Sequence, residues 1–242
     1  MSADIFLRKG LTIPMSGTAD LNISSADSAD NFVIYPHDFH GVVPKMLLRE
    51  GEAVLQGQPI FYSKANPEIK FVSPVSGTLT KIERGAKRRI MSLSIASDGK
   101  NKAVTHSLEK LDKLEAADVK KHLLESGCWP FVKQRPYDVI ADPDSTPKAI
   151  FISGFSTAPL AADVPFILSS QKEDFQNGIN ALAKLTPKVH LSVDASSASF
   201  LTEVSNAEIH RVKGQHPAGN VGVQIHHIDP VNAGETVWVV GP

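Results

Sequence analysis

The sequence predicts a protein of the α+β / α/β class, in which a small all-β module precedes a three-layer α/β domain. Three observations predict it. Between Tyr35 and Ile95, short apolar stretches are broken by Gly or Pro every eight to twelve residues, the punctuation of a compact β unit. Further along, Lys148-Ala149-Ile150-Phe151-Ile152-Ser153-Gly154 runs unbroken and apolar into a glycine turn, as a strand buried on both faces does. A helical stripe then separates this run from a second one, Lys188-Val189-His190-Leu191-Ser192-Val193. Strand, crossover helix and strand make a βαβ unit.

The β module falls within residues 1–105. In Leu48-Arg49-Glu50-Gly51-Glu52-Ala53-Val54-Leu55-Gln56-Gly57-Gln58-Pro59 two glycines flank an alternating strand, and in Phe71-Val72-Ser73-Pro74-Val75-Ser76-Gly77-Thr78-Leu79 a Ser-Pro turn precedes a third. Each glycine marks a corner where the chain changes sheet. Together the two segments resemble the biotinyl/lipoyl-like β-barrel-sandwich. In carrier proteins of that fold a lysine at a hairpin tip bears the prosthetic group, and Lys64-Ala65 stands where that tip is expected. It follows Ser63 rather than an acidic residue, and Asn66-Pro67 lengthens the path to the Ser-Pro turn. Lys64 therefore reads as a solvated loop lysine. Arg84-Gly85-Ala86-Lys87-Arg88-Arg89 packs four cations into six residues and reads as a solvated hairpin that offers a partner an electrostatic contact.

Residues 106–147 are expected to be a helical linker followed by an extended aromatic segment. Leu108, Leu111 and Leu114 form one stripe, while Val119, Leu123 and Leu124 form a second that ends at Ser126-Gly127 as a helix C-cap does. In Trp129-Pro130-Phe131-Val132-Lys133-Gln134-Arg135-Pro136-Tyr137 two prolines predict extended chain, with the aromatics in a core.

Residues 148–242 are expected to form a Rossmann-like α/β domain. Its helix is introduced by Ser170-Gln171-Lys172-Glu173, which matches a capping box, and presents Phe175, Ile179, Leu182 and Leu185 on one face. The turn Ser153-Gly154-Phe155-Ser156-Thr157-Ala158-Pro159 lacks the G-x-G-x-x-G spacing that lets backbone approach a pyrophosphate. Asp194 is explained by turn formation before Ser196-Ser197. His210, His216, His226 and His227 lie within eighteen residues, but adjacent histidines on a strand point to opposite faces, so no metal site is assigned. No Gly-x-Ser-x-Gly elbow occurs, and no catalytic residue is assigned.

Composition narrows the function. Of 242 residues, 42% are hydrophobic and 21% charged, as in a globular chain of one or two domains. A formal charge of -1 supplies no basic field for nucleic acid. Apolar runs such as Val237-Trp238-Val239-Val240 fall far short of the roughly 20 residues of a membrane helix. The N-terminus does not read as a signal peptide, so a soluble, cytoplasmic chain is expected. Cys128, the single cysteine, excludes an internal disulfide, a cysteine zinc site and an iron–sulfur cluster held by this chain. Its expected role is that of a buried structural thiol.

Six stretches, taken in order, resemble one family. They are Lys9-Gly10-Leu11-Thr12-Ile13-Pro14-Met15-Ser16-Gly17, Ser73-Pro74-Val75-Ser76-Gly77, Arg84-Gly85-Ala86-Lys87-Arg88, Glu125-Ser126-Gly127-Cys128-Trp129, Arg135-Pro136-Tyr137 and His216-Pro217-Ala218-Gly219. The family is that of the NqrA component of the sodium-translocating NADH:quinone reductases, itself akin to the flavin-bearing component of respiratory complex I. The resemblance spans essentially the whole chain. It implies a longer full-length protein, so that this sequence is expected to be a fragment with its α/β domain truncated at the C-terminal end.

The resemblance further implies a scaffold that has lost its cofactor site, with ubiquinone or menaquinone as substrate of the complex and its other subunits, chiefly a membrane-embedded one, as partners. The implied location is peripheral, on the cytoplasmic face of the bacterial inner membrane. Quinone contacts are expected at Tyr35, Phe39, His40, Trp129, Phe131, Arg135 and Tyr137, where aromatics stack on a quinone ring and His or Tyr hydrogen-bonds its carbonyls. Two alternatives stay open: a prosthetic-group carrier modified at Lys64, and a flavin- or NADH-binding oxidoreductase subunit.

Overall fold

The computed structural model describes residues 4–17, 20–106 and 111–242. The chain forms two compact units. One comprises Ser25–Val132 with Asp138–Ala141, and the other comprises the segment up to Ser24, Lys133–Tyr137 and Asp142–Pro242. Strand β1 (Asp4–Leu7) belongs to the second unit and is taken up with it.

In the first unit, β2 (Asn31–Ile34), β3 (Pro44–Met46), β4 (Ala53–Val54), β5 (Pro59–Ser63), β6 (Lys70–Val72), β7 (Gly77–Arg84) and β8 (Ile90–Ser97) form two sheets, ordered β2-β8-β7-β4 and β3-β5-β6. Ile60, Phe61, Leu79, Leu93 and Ile95 fill the space between, fully buried. The three predicted corners are where the chain changes sheet. Gly51 (φ +88°) lies between β3 and β4 and Gly57 (φ +78°) between β4 and β5, in the left-handed region that glycine enters at no steric cost. Gly77 opens β7 against β8 so closely that a Cβ there would run into the Ala96 carbonyl.

The linker stripe becomes a 3₁₀ turn at Leu111–Lys113 and helix α1 (Ala116–Glu125); Leu108 lies outside the described residues. A reciprocal capping box starts α1, with the Glu115 side chain accepting from the backbone of Asp118 and the Asp118 carboxylate accepting from the Glu115 N–H. Gly127 (φ +74°) ends it, and the Cys128 N–H returns to the Leu123 carbonyl at 3.0 Å. That left-handed turn sends Trp129 into the core and leaves Cys128 exposed, so the cysteine is not the buried thiol expected from the sequence. Trp129-Pro130-Phe131 is not extended either. It forms a 3₁₀ turn, because a proline in the first turn of a helix gives up an N–H that has no partner there anyway. Extended chain resumes at β9 (Lys133–Arg135) and β10 (Val139–Ile140).

The second unit contains β11 (Ile150–Ser153), α2 (Val164–Ile167), α3 (Lys172–Leu185), β12 (Val189–Asp194), β13 (Glu208–Gly214), α4 (Val221–Ile228) and β14 (Val237–Val239). Its strands lie in the order β1-β13-β12-β11-β14-β9, parallel except for β9 against β14. Ile150, Phe151 and Ile152 are all at most 2% exposed, which requires cover on both faces of the sheet. Ile225 of α4 packs on Ala149, Phe151 and Val237, and α3 makes the crossover from β11 to β12 while burying Ile179 and Leu182.

Two local expectations fail here. Ser170 does not cap α3. It ends a 3₁₀ turn, Leu168–Ser170, and the helix begins after Gln171 with no side-chain cap. His226 and His227 sit on α4, not on a strand, because Val221, Ile225 and Ile228 recur at helical spacing. Asp194 does form the expected turn, its carboxylate accepting from the Ser196 N–H at 2.8 Å. Among the described residues no helix is long and apolar enough to cross a membrane.

Candidate functional site

The barrel unit carries an aromatic hollow. Phe61 stacks on Phe71 at 4.4 Å between centroids, Phe39 meets Phe71 edge-on at 4.6 Å, and Phe131 stands 6.4 Å from Phe39. Phe39, Phe71 and Phe131, with Ile34, Pro74 and Pro130, line a cavity of about 160 Å³. The backbone places each part. Phe39 follows the 3₁₀ turn Pro36–Asp38 and is half-buried. Phe131 ends the turn that begins with Trp129 and is 63% exposed. Gly127 closes the floor, where a Cβ would press on Val72.

The other residues expected at a quinone site divide. Tyr35 is exposed and holds His37 edge-on at 5.4 Å. His40 is exposed and lines a separate, cationic hollow of about 860 Å³ together with His37, Lys45, Lys64, Arg84 and Arg88. Lys64 is exposed at the tip between β5 and β6, as a solvated loop lysine should be. Trp129 is fully buried, its Nε1–H donating to the Ala141 carbonyl at 2.8 Å, and this ring is core rather than a ligand surface. Arg135 and Tyr137 belong to the α/β unit, where Arg135 is half-buried and Tyr137 is 81% exposed.

In the α/β unit a crevice of about 530 Å³ opens at the C-terminal ends of β11 and β14, beside the start of α4. Strand order reverses there, the place where open α/β sheets take their ligands. Its polar floor is committed internally. Gln224 donates through Nε2 to Ser153 Oγ at 2.9 Å and to the Ala218 carbonyl at 3.1 Å, while the Ser153 hydroxyl donates to the Phe155 carbonyl at 2.9 Å. Gly219 abuts the Ser156–Thr157 backbone so tightly that a Cβ would overlap it.

One cluster escaped sequence reasoning. His190 of β12 and His210 of β13 meet inside the sheet layer, 3.0 Å apart between Nδ1 and Nε2, with Glu208 beside them. Burial, reinforced by the neighbouring His210, holds His190 down to about 4, and burial also lowers His210. The signal lay in strand register: His190 is opposite Glu208, two residues before His210. The twenty residues between the histidines hid it.

Comparison with known proteins agrees with both units. A family model described as the NqrA N-terminal barrel-sandwich hybrid domain matches residues 5–98, and one described as the NqrA second alpha/beta domain matches residues 114–242. The NqrA protein of the Na(+)-translocating NADH-quinone reductase of Haemophilus influenzae (strain PittGG) is 38% identical over 238 residues, covering 97% of this chain and 53% of the relative. Its counterparts in Actinobacillus succinogenes and Neisseria gonorrhoeae are 37% and 36% identical, covering 97% and 98% of this chain. The chain thus spans about half the length of the relatives it matches. With both units matched in order and the identity sustained from end to end, the chain belongs to the NqrA family of the Na(+)-translocating NADH-quinone reductases.

Proposed function

We propose that the chain serves, within a sodium-translocating NADH:quinone oxidoreductase, as a quinone-contacting and docking subunit that holds no flavin or iron–sulfur centre of its own. The aromatic hollow of the barrel unit carries this reading. A cavity of about 160 Å³ lined by Phe39, Phe71, Phe131 and two prolines has the volume and apolarity that admit a single six-membered ring, since a dry cavity of about 150 Å³ lined by Leu, Ile and Phe takes benzene. The half-buried Phe39 and exposed Phe131 offer their rings to a quinone headgroup, and its carbonyls then face the open mouth. Tyr35 and His40 stay in the proposal as exposed hydrogen-bonding groups of the same unit, as do Arg135 and Tyr137 of the α/β unit; Trp129 leaves it.

Ubiquinone or menaquinone is the substrate in this reading, the partners are the other subunits of the complex, chiefly a membrane-embedded one, and the location is the cytoplasmic face of the inner membrane. The names of the relatives support the place in such a complex. The committed hydrogen bonds at the floor of the α/β crevice support a scaffold that no longer cradles a dinucleotide.

Titration of the chain with a short-chain soluble quinone, followed by aromatic NMR shifts, tests the contact. A saturable response that weakens at least about tenfold in Phe131→Ser, with Tyr137→Ser as comparison, is expected, since burial of one aromatic face contributes about 1.5–3 kcal/mol. No saturable response removes the quinone contact and leaves the family assignment standing.

A further inference from the structure

We propose that His190, Glu208 and His210 form a binding site for a divalent transition-metal ion of the zinc class, a clamp between β12 and β13. The geometry starts from register. On parallel strands His190 pairs with Glu208, and Ser192 with His210. Alternate residues share a face, so Glu208 and His210 project from the same side of β13 next to His190 on β12. The three donor atoms converge within 4.8 Å of one another. Nδ1 of His190 lies 3.0 Å from Nε2 of His210 and 3.6 Å from Glu208 Oε2. Ligands at about 2.0–2.1 Å from a tetrahedral zinc are separated by about 3.3 Å, a value these two distances bracket.

Hydrogen bonding alone serves the cluster poorly. A proton between the two rings joins one nitrogen of each, and the carboxylate at 3.6 Å is beyond hydrogen-bond range of His190. A cation at the centre engages all three donor atoms together. Both rings are buried, at 3% and 2% exposure, and burial keeps them neutral near neutral pH, the form that ligates. Phe151 lies across from His190 on β11, 4.7 Å away between centroids, and walls the site on that side with apolar surface. Glu208 is the exposed member, its side chain 37% accessible, which gives an ion its way in and leaves a fourth position for water.

Two imidazoles and one carboxylate select zinc, cobalt or nickel over the oxygen-loving magnesium and calcium. The outer ring nitrogens, His190 Nε2 and His210 Nδ1, have no protein partner among the described residues. Affinity is therefore set below that of sites with oriented histidines, by about 10–100-fold for each missing partner.

The test is titration of the metal-stripped 242-residue chain with Co²⁺. One ion per chain, with the intense visible band of four-coordinate Co²⁺ bleached by Zn²⁺, is expected. Glu208→Gln, nearly isosteric and at the rim, and His210→Ala each weaken binding at least about tenfold, while the double change of the exposed pair His226→Ala and His227→Ala leaves it unchanged. Far-ultraviolet circular dichroism confirms that Glu208→Gln is folded. The proposal is overturned by the absence of a four-coordinate spectrum, by a band that persists in Glu208→Gln, or by binding that disappears with His226 and His227.

Discussion

Gly77 shows how much one atom matters. Its missing Cβ leaves room for the Ala96 carbonyl, so Gly77→Ala forces β7 and β8 apart and lowers stability by about 1–3 kcal/mol, read as a shift in urea midpoint. Glu235 carries a pH dependence. Its carboxyl is held below the ordinary glutamate range first by the Asn232 backbone N–H and then by a hydrogen bond from Lys148, 3.0 Å away. A carboxylate lowered in the folded state stabilises above its unfolded value, and that contribution disappears as pH falls through the folded one. The urea midpoints of the parent and Glu235→Gln should therefore differ most at neutral pH and converge in acid. At this scale the glycine corners were legible because a φ that only glycine tolerates leaves glycine in the sequence. Cys128 and His190 were not. The exposure of Cys128 depends on the turn at Gly127, and the neighbours of His190 depend on a strand pairing across twenty residues.

Helix starts separate local pattern from realised contact. Ser170-x-x-Glu173 has the letters of a capping box, yet the working box is Glu115 with Asp118, where glutamate replaces the customary Ser or Thr. Asp118→Ala is expected to cost about 1 kcal/mol, whereas Ser170→Ala should change stability by no more than about 0.5 kcal/mol; paired thermal melts distinguish them. The strands β11 and β12 were visible as apolar runs because burial on both faces tolerates nothing polar except histidines and serines that find partners. Helix α4 was not, since His226-His227 and the short apolar stretch before it fit either period, and only packing of Ile225 on Phe151 decides. The aromatic segment was half-read. Its composition announced a ring cluster, but the 3₁₀ turn that sends Trp129 inward and Phe131 outward comes from Gly127 and Pro130 acting together.

Across the whole molecule the two tryptophans fall one to each compact unit, Trp129 with the barrel and Trp238 with the α/β sheet, and both are buried. Single-tryptophan variants, Trp129→Phe and Trp238→Phe, therefore report the two units separately. Removal of the residues before Ser25 takes away β1, so the midpoint followed by Trp238 should fall while that followed by Trp129 holds; equal shifts in both would contradict the division. The order of the modules was plain from the sequence, because a barrel's glycine spacing and a βαβ pattern look nothing alike. The pairing of β1 with β13 was not, since Asp4 and Arg211 are neighbours only in space. That pairing bears on how the protein is made. A ribosome working at about 5–20 residues per second releases Asp4–Leu7 roughly two hundred residues ahead of their partner strand. The barrel has time to close in between, and the opening strand waits, unpaired, until synthesis delivers the edge that receives it.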